Sequence, residues 1–142
     1  MPLRLLLGLA GAFTLVLGIL HSFLPAALDY RTLLLDRPAG WRPPRPFRLW
    51  LTRYVVTLHD RYGIVWVMNH AASYVLVSIG LLDLFAWDWL RSDAGRLLAL
   101  WVAGWWLLRA VNELYLGRRA GDWLICAWFV ALGLLHLAVW HL

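Results

Sequence analysis

The sequence predicts an all-α integral membrane protein: an antiparallel bundle of four transmembrane helices with a cytoplasmic amphipathic helix between the first and the second. Three observations predict it. Hydrophobic residues make up 63% of the 142 and charged residues only 15%, with a mean hydropathy of +0.68, well above the roughly 45–50% apolar content of a soluble domain. Four apolar runs each reach about 20 residues, enough to cross about 30 Å of hydrocarbon at 1.5 Å per residue. The 13 basic residues, all Arg, fall mainly between those runs. This composition excludes a water-soluble monomer and a disordered chain. A single Cys excludes a disulfide framework and a thiolate metal cluster.

The spans are expected at about 5–24, 63–85, 97–116 and 123–142, within one domain covering 1–142. All are read as helices, because a barrel would need many alternating ten-residue segments. The first is read as a span rather than a cleaved leader. Its apolar run exceeds the roughly 7–15 residues of such segments, and Leu24 and Pro25 fit a small-residue cleavage site poorly.

The long connection from Pro25 to Tyr62 is expected to carry its own structure. After a turn-rich stretch over 37–46, Phe47, Trp50, Leu51, Tyr54, Val55, Leu58 and Tyr62 recur at helical spacing, with Arg48, Arg53, Asp60 and Arg61 on other faces. This predicts a basic amphipathic helix over about 47–61, lying in the headgroup layer or covering the end of the bundle. In the same connection Tyr30, Arg37, Pro38 and residues 41–44 (WRPP) resemble the first-loop signature of the tryptophan-rich sensory (translocator) proteins. That family has five spans, and its second span follows the proline pair closely. Here an extra segment intervenes, so no ligand or residue role is carried over.

Arg is retained on the cytoplasmic side of a membrane. The first connection holds Arg31, Arg37, Arg42, Arg45, Arg48, Arg53 and Arg61, and the third holds Arg118 and Arg119. Only Arg4, Arg91 and Arg96 lie on the other side. Connections one and three are therefore expected inside. Both termini and the second connection, with Asp83, Asp88 and Asp93, are expected on the periplasmic or exterior side of a bacterial inner membrane. The net charge of +5 is distributed among apolar spans, so its expected partner is membrane lipid and not nucleic acid.

Ionisable and amide groups inside a bilayer are costly and mark function by default. The candidates are His21, Asn69, His70, Arg109, Asn112, Glu113, His136 and His141. Antiparallel threading puts His21, His70, Asn112 and Glu113 within about two turns of the cytoplasmic face. Gly11, Thr14, Gly18 and His21 share one helix face, and Ala99, Ala103, Trp106, Ala110 and Glu113 share another, both suited to close packing. Arg109 and Glu113 are set to pair at i,i+4.

The expected site thus binds, and as one option acts on, a lipophilic small molecule near the cytoplasmic face. His21, His70, Asn112 and Glu113 line it, and Asn69 and Arg109 orient them. A second reading gives His21, His70 and Glu113 to a haem or divalent metal, although no HxxxH, ExxH or CxxCH spacing accompanies them. The alternative is a non-catalytic accessory or assembly subunit of a larger membrane complex, or a homo-oligomer, in which these groups only hold helices together. His136, sharing a face with Phe129, Gly133 and Trp140, is expected to make an interhelical hydrogen bond. His59 and His141 are expected to be solvated or interfacial. Of the 11 Trp, Trp66, Trp101, Trp105, Trp106 and Trp128 lie too deep for an interfacial belt and suit helix packing or a flat apolar partner. No phosphate loop, nucleophile motif, calcium loop or dinucleotide fingerprint identifies a reaction.

Overall fold

The computed structural model describes residues 2–35, 47–49, 52–54, 58–116 and 120–141. In chain order these form α1 (Pro2–Ser22), α2 (Leu24–Ala27), α3 (Tyr30–Leu35), β1 (Phe47–Leu49), β2 (Thr52–Tyr54), α4 (Leu58–Phe85), α5 (Trp87–Leu90), α6 (Asp93–Leu116) and α7 (Ala120–Trp140). Four segments are long and apolar enough to cross a membrane: Pro2–Ser22, His59–Phe85, Asp93–Leu114 and Gly121–Trp140. No more than about a third of each apolar stretch is buried within the protein, as befits helices solvated by lipid tails.

The chain divides into two compact units, Met1–Leu15 with Ser78–Leu142 and Val16–Val77. In the first, α6 turns Ala99, Ala103, Trp106, Ala110 and Glu113 inward, while α7 buries Phe129, Leu132, His136 and Val139. Leu7, Leu90, Ala99 and Val139 form a closed apolar cluster, with Leu3, Ala86, Trp87 and Leu135 against it. Ser92 starts α6: its hydroxyl accepts the Gly95 N–H at 3.2 Å and donates to the Trp89 carbonyl at 2.6 Å. A side chain at Gly95 would run into the Trp89 backbone, so only glycine closes this turn. The early part of α1 meets the end of α4 backbone to backbone. A Cβ on Gly11 would lie 2.6 Å from the Asp83 Cβ and 2.9 Å from the Gly80 carbonyl oxygen.

The second unit holds the rest of α1, α2, α3, β1, β2 and the beginning of α4. The last described residue of α1 is Ser22, three residues before Pro25. Pro25 has no N–H to offer the His21 carbonyl four residues earlier, and its ring crowds that carbonyl. Gly18 lets α1 approach α4, since a Cβ there would sit 2.8 Å from the Val77 nitrogen. Between α2 and α3, Asp29 takes a left-handed backbone (φ 46°), which aspartate tolerates better than most residues. Its Oδ1 accepts the Thr32 N–H at 3.4 Å. Hydrogen bonding from Thr32 and the nearby Arg31 charge hold the Asp29 carboxyl below the usual carboxylate range.

The helix expected over 47–61 is corrected here. Phe47–Leu49 and Thr52–Tyr54 are antiparallel strands with Phe47 opposite Tyr54, Arg48 opposite Arg53 and Leu49 opposite Thr52, and Leu58 already belongs to α4. The alternation Phe-Arg-Leu and Thr-Arg-Tyr suits a period of two as well as a helix, and aromatic and β-branched residues favour the extended backbone. Trp50, Leu51 and Val55, which supported the helical spacing, lie outside the described residues. So do Arg37, Pro38, residues 41–45, Arg118 and Arg119.

Candidate functional site

Of the residues singled out from the sequence, the second unit joins His21 to Asn69. The Asn69 amide donates to the His21 carbonyl at 3.0 Å, which is the carbonyl that Pro25 leaves without a helical partner. Ser73 donates its hydroxyl proton to the Asn69 carbonyl at 2.8 Å and lies 3.1 Å from His21 Nδ1. With the hydroxyl proton so committed, His21 carries its proton on Nδ1 and donates to Ser73. His70 behaves differently. Its Nδ1 lies 2.9 Å from the Trp66 carbonyl of its own helix, and its ring stacks on Trp66 at 3.9 Å. Tyr74, its i+4 neighbour, is exposed.

In the first unit, Arg109 Nη2 lies 3.8 Å from Glu113 Oε2, the i,i+4 pair expected from the spacing. The Arg109 guanidinium also stands 5.4 Å from the centre of the Phe129 ring. Asn112 lies on the exposed side of α6. Among the described residues no three His, Cys, Asp or Glu side chains are grouped to hold a metal ion, so the metal reading of His21, His70 and Glu113 gains no support.

The most deeply buried polar arrangement was not foreseen as a site. Asp83, counted with the exterior connection although the expected span 63–85 encloses it, is inside α4, which ends at Phe85. Asp83 is 4% exposed and His136 of α7 is 1% exposed, with Nε2 and Oδ1 3.0 Å apart. The other ring nitrogen of His136 faces the Leu132 carbonyl at 2.8 Å.

A carbonyl only accepts, so His136 Nδ1 must bear a proton. One further proton then lies between Nε2 and Oδ1. Placed on the ring it makes an imidazolium beside a carboxylate, and placed on the acid it makes two neutral groups. Both arrangements leave the pair with no net charge. That is how an acid and a base can be buried together without the full desolvation cost of an isolated ion. In both, the second carboxyl oxygen, Oδ2, is an acceptor, and this buried atom has no hydrogen-bond partner among the described residues.

Asp83 also lines an open groove of about 710 Å³. Leu5, Leu9, Leu84 and Trp87 provide its apolar wall, and Arg4 contributes a cationic group. Gly8 belongs to the same wall, and a Cβ placed there would meet nothing within 4 Å. The groove therefore offers an aromatic surface, a largely apolar volume and one cationic group, with the buried Asp83–His136 pair beside it. These features suit an amphipathic molecule entering from lipid.

Threading could have found the pair. Asp83 and His136 lie two and six residues before the predicted ends of spans two and four, which run in the same direction. They should therefore share a depth. Counting Asp83 with the connection concealed this. No protein-family model, no curated protein and no solved structure matches this chain.

Proposed function

We propose that this protein is a small polytopic membrane protein that binds a lipophilic ligand in the groove beside Asp83 and His136. The single observation carrying the reading is the open groove of about 710 Å³ whose mainly apolar lining includes Arg4 and Asp83. The polar groups expected nearer the cytoplasmic face support a ligand less well. His21, Asn69 and Ser73 are joined by hydrogen bonds, and His70 is engaged with Trp66.

The arrangement proposed is an antiparallel bundle of four spans in a bacterial inner membrane, with both termini and the α5 connection outside and the Arg-rich connections inside. On that orientation the groove, near the end of α4, opens toward the exterior leaflet.

The test is native mass spectrometry of the detergent-purified protein. A lipophilic mass should be retained at one copy per chain, and Gly8→Leu should displace it by filling the groove. A protein that carries no such mass, or the same mass in Gly8→Leu, would be read instead as an accessory subunit without this site.

A further inference from the structure

We infer that the groove seats an anionic phospholipid, with its phosphate at Arg4 and one acyl chain against Leu5, Leu9, Leu84 and Trp87. The inference rests on the ligand-binding reading above and names the class of ligand.

Every residue lining the groove belongs to the first unit. On α1, Arg4 and Gly8 form one i,i+4 row and Leu5 and Leu9 the row beside it, while Leu84 and Trp87 supply apolar surface from the end of α4 and the start of α5. Gly8 keeps the groove open one turn in from Arg4, because a Cβ there would meet nothing within 4 Å. From Pro2 to Leu9 the lining follows about 10 Å of helix at 1.5 Å per residue. It begins at a cation and continues over apolar side chains, which is the polarity of a headgroup followed by a chain.

Charge decides which headgroup. Arg4 is exposed, and among the described residues it pairs with no acid, Asp88 beside Trp87 included. The first turn of α1 holds no acidic residue, so the positive end of the helix dipole adds to the guanidinium instead of being offset. The one acid in the lining, Asp83, is matched by His136 at 3.0 Å, and that couple has no net charge. The uncompensated charge of the groove is therefore that of Arg4, whose planar fork suits phosphate oxygens. A zwitterionic headgroup brings the same phosphate together with an ammonium, for which the groove has no free carboxylate. A headgroup with a net negative charge fits better.

The probes are phosphatidylglycerol and phosphatidylcholine with identical acyl chains. They are offered together, in equal amounts, to the delipidated protein in detergent, and bound lipid is read by native mass spectrometry. Phosphatidylglycerol should be retained about fivefold over phosphatidylcholine, the factor for one basic residue facing an anionic headgroup. Arg4→Gln should bring that ratio to about one, and Arg4→Lys should keep most of it. Arg91→Gln removes a basic residue that does not line the groove and should leave the ratio unchanged. Gly8→Leu, which leaves Arg4 in place, should displace both lipids.

A ratio near one in the parent protein, with lipid lost in Gly8→Leu, would overturn the anionic inference while leaving the groove a lipid site. So would a preference that survives Arg4→Gln, or one that Arg91→Gln removes equally. Lipid that Gly8→Leu does not displace would overturn both readings.

Discussion

The two compact units each contain a polar network built around a histidine, one part-buried and one almost fully buried. In Val16–Val77, His21, Ser73 and Asn69 form a chain of donors and acceptors that ends on the His21 carbonyl exposed by Pro25. It works as a clasp between two helices. In the other unit, His136 has both ring nitrogens engaged, and Asp83 Oδ2 is enclosed without a hydrogen-bond partner among the described residues. Helix crossing is common to both, and burial separates them: His136 is almost fully enclosed, whereas His21 is not.

The largest expected difference between the units comes from breaking each network at its histidine. His136→Leu leaves a buried carboxyl without its partner and should destabilise by about 3–5 kcal/mol, and Asp83→Leu should do so comparably. The double variant Asp83→Leu/His136→Leu should recover most of that loss, because two apolar groups need no proton between them. His21→Leu, in the other unit, should cost only about 1 kcal/mol. Thermal unfolding in one detergent measures all four, and equal losses from His136→Leu and His21→Leu would remove the distinction drawn here.

Next in size is a contrast between two glycines of α1. Gly11→Val must displace the Asp83 Cβ and the Gly80 backbone and should cost about 2–3 kcal/mol. Gly8→Val, whose new carbon meets open space, should be within about 0.5 kcal/mol of the parent. A similar melting temperature for both would mean that α1 does not pack on α4 through Gly11.

The clasp can be sharpened by a cycle. Asn69→Leu strips the His21 carbonyl of its donor and should cost about 1–2 kcal/mol. Pro25→Ala restores a backbone N–H four residues downstream, so the same Asn69→Leu change should cost less in that background. Additive losses would show that Pro25 and Asn69 act on different groups.

The smallest effect is local. The folded-state pKa of Asp29 is depressed, so its contribution to the start of α3 is complete above the ordinary carboxylate value and is lost as pH falls through the lower folded one. The Thr32 amide should therefore gain exchange freedom only on acidification below the usual aspartate range. Asp29→Asn should flatten that dependence, as followed by NMR of the Thr32 N–H.

Much of the helix packing was legible because it rests on spacing. The face carrying Ala99, Ala103, Trp106, Ala110 and Glu113 is buried as expected, Gly11 and Gly18 sit where backbones touch, and Arg109 meets Glu113 at i,i+4. The hairpin was not legible, because a short Phe-Arg-Leu stretch fits both periods and its flanking apolar residues favoured the helical reading. Among the deeper tryptophans composition could not rank exposure: Trp106 is fully buried, whereas Trp101 is 55% exposed. The convergence at Asp83 was within reach, since the expected span 63–85 encloses it and α4 ends at Phe85; counting the aspartate with the connection because of its charge concealed it.

The electroneutrality of the Asp83–His136 couple has an electrical consequence. A unit charge carried through the full membrane potential does work of about 2.3 kcal/mol per 100 mV, but a couple whose two members cancel does almost none. Enclosure of the couple should then be the same in energised and depolarised vesicles, since the membrane voltage does almost no work on it.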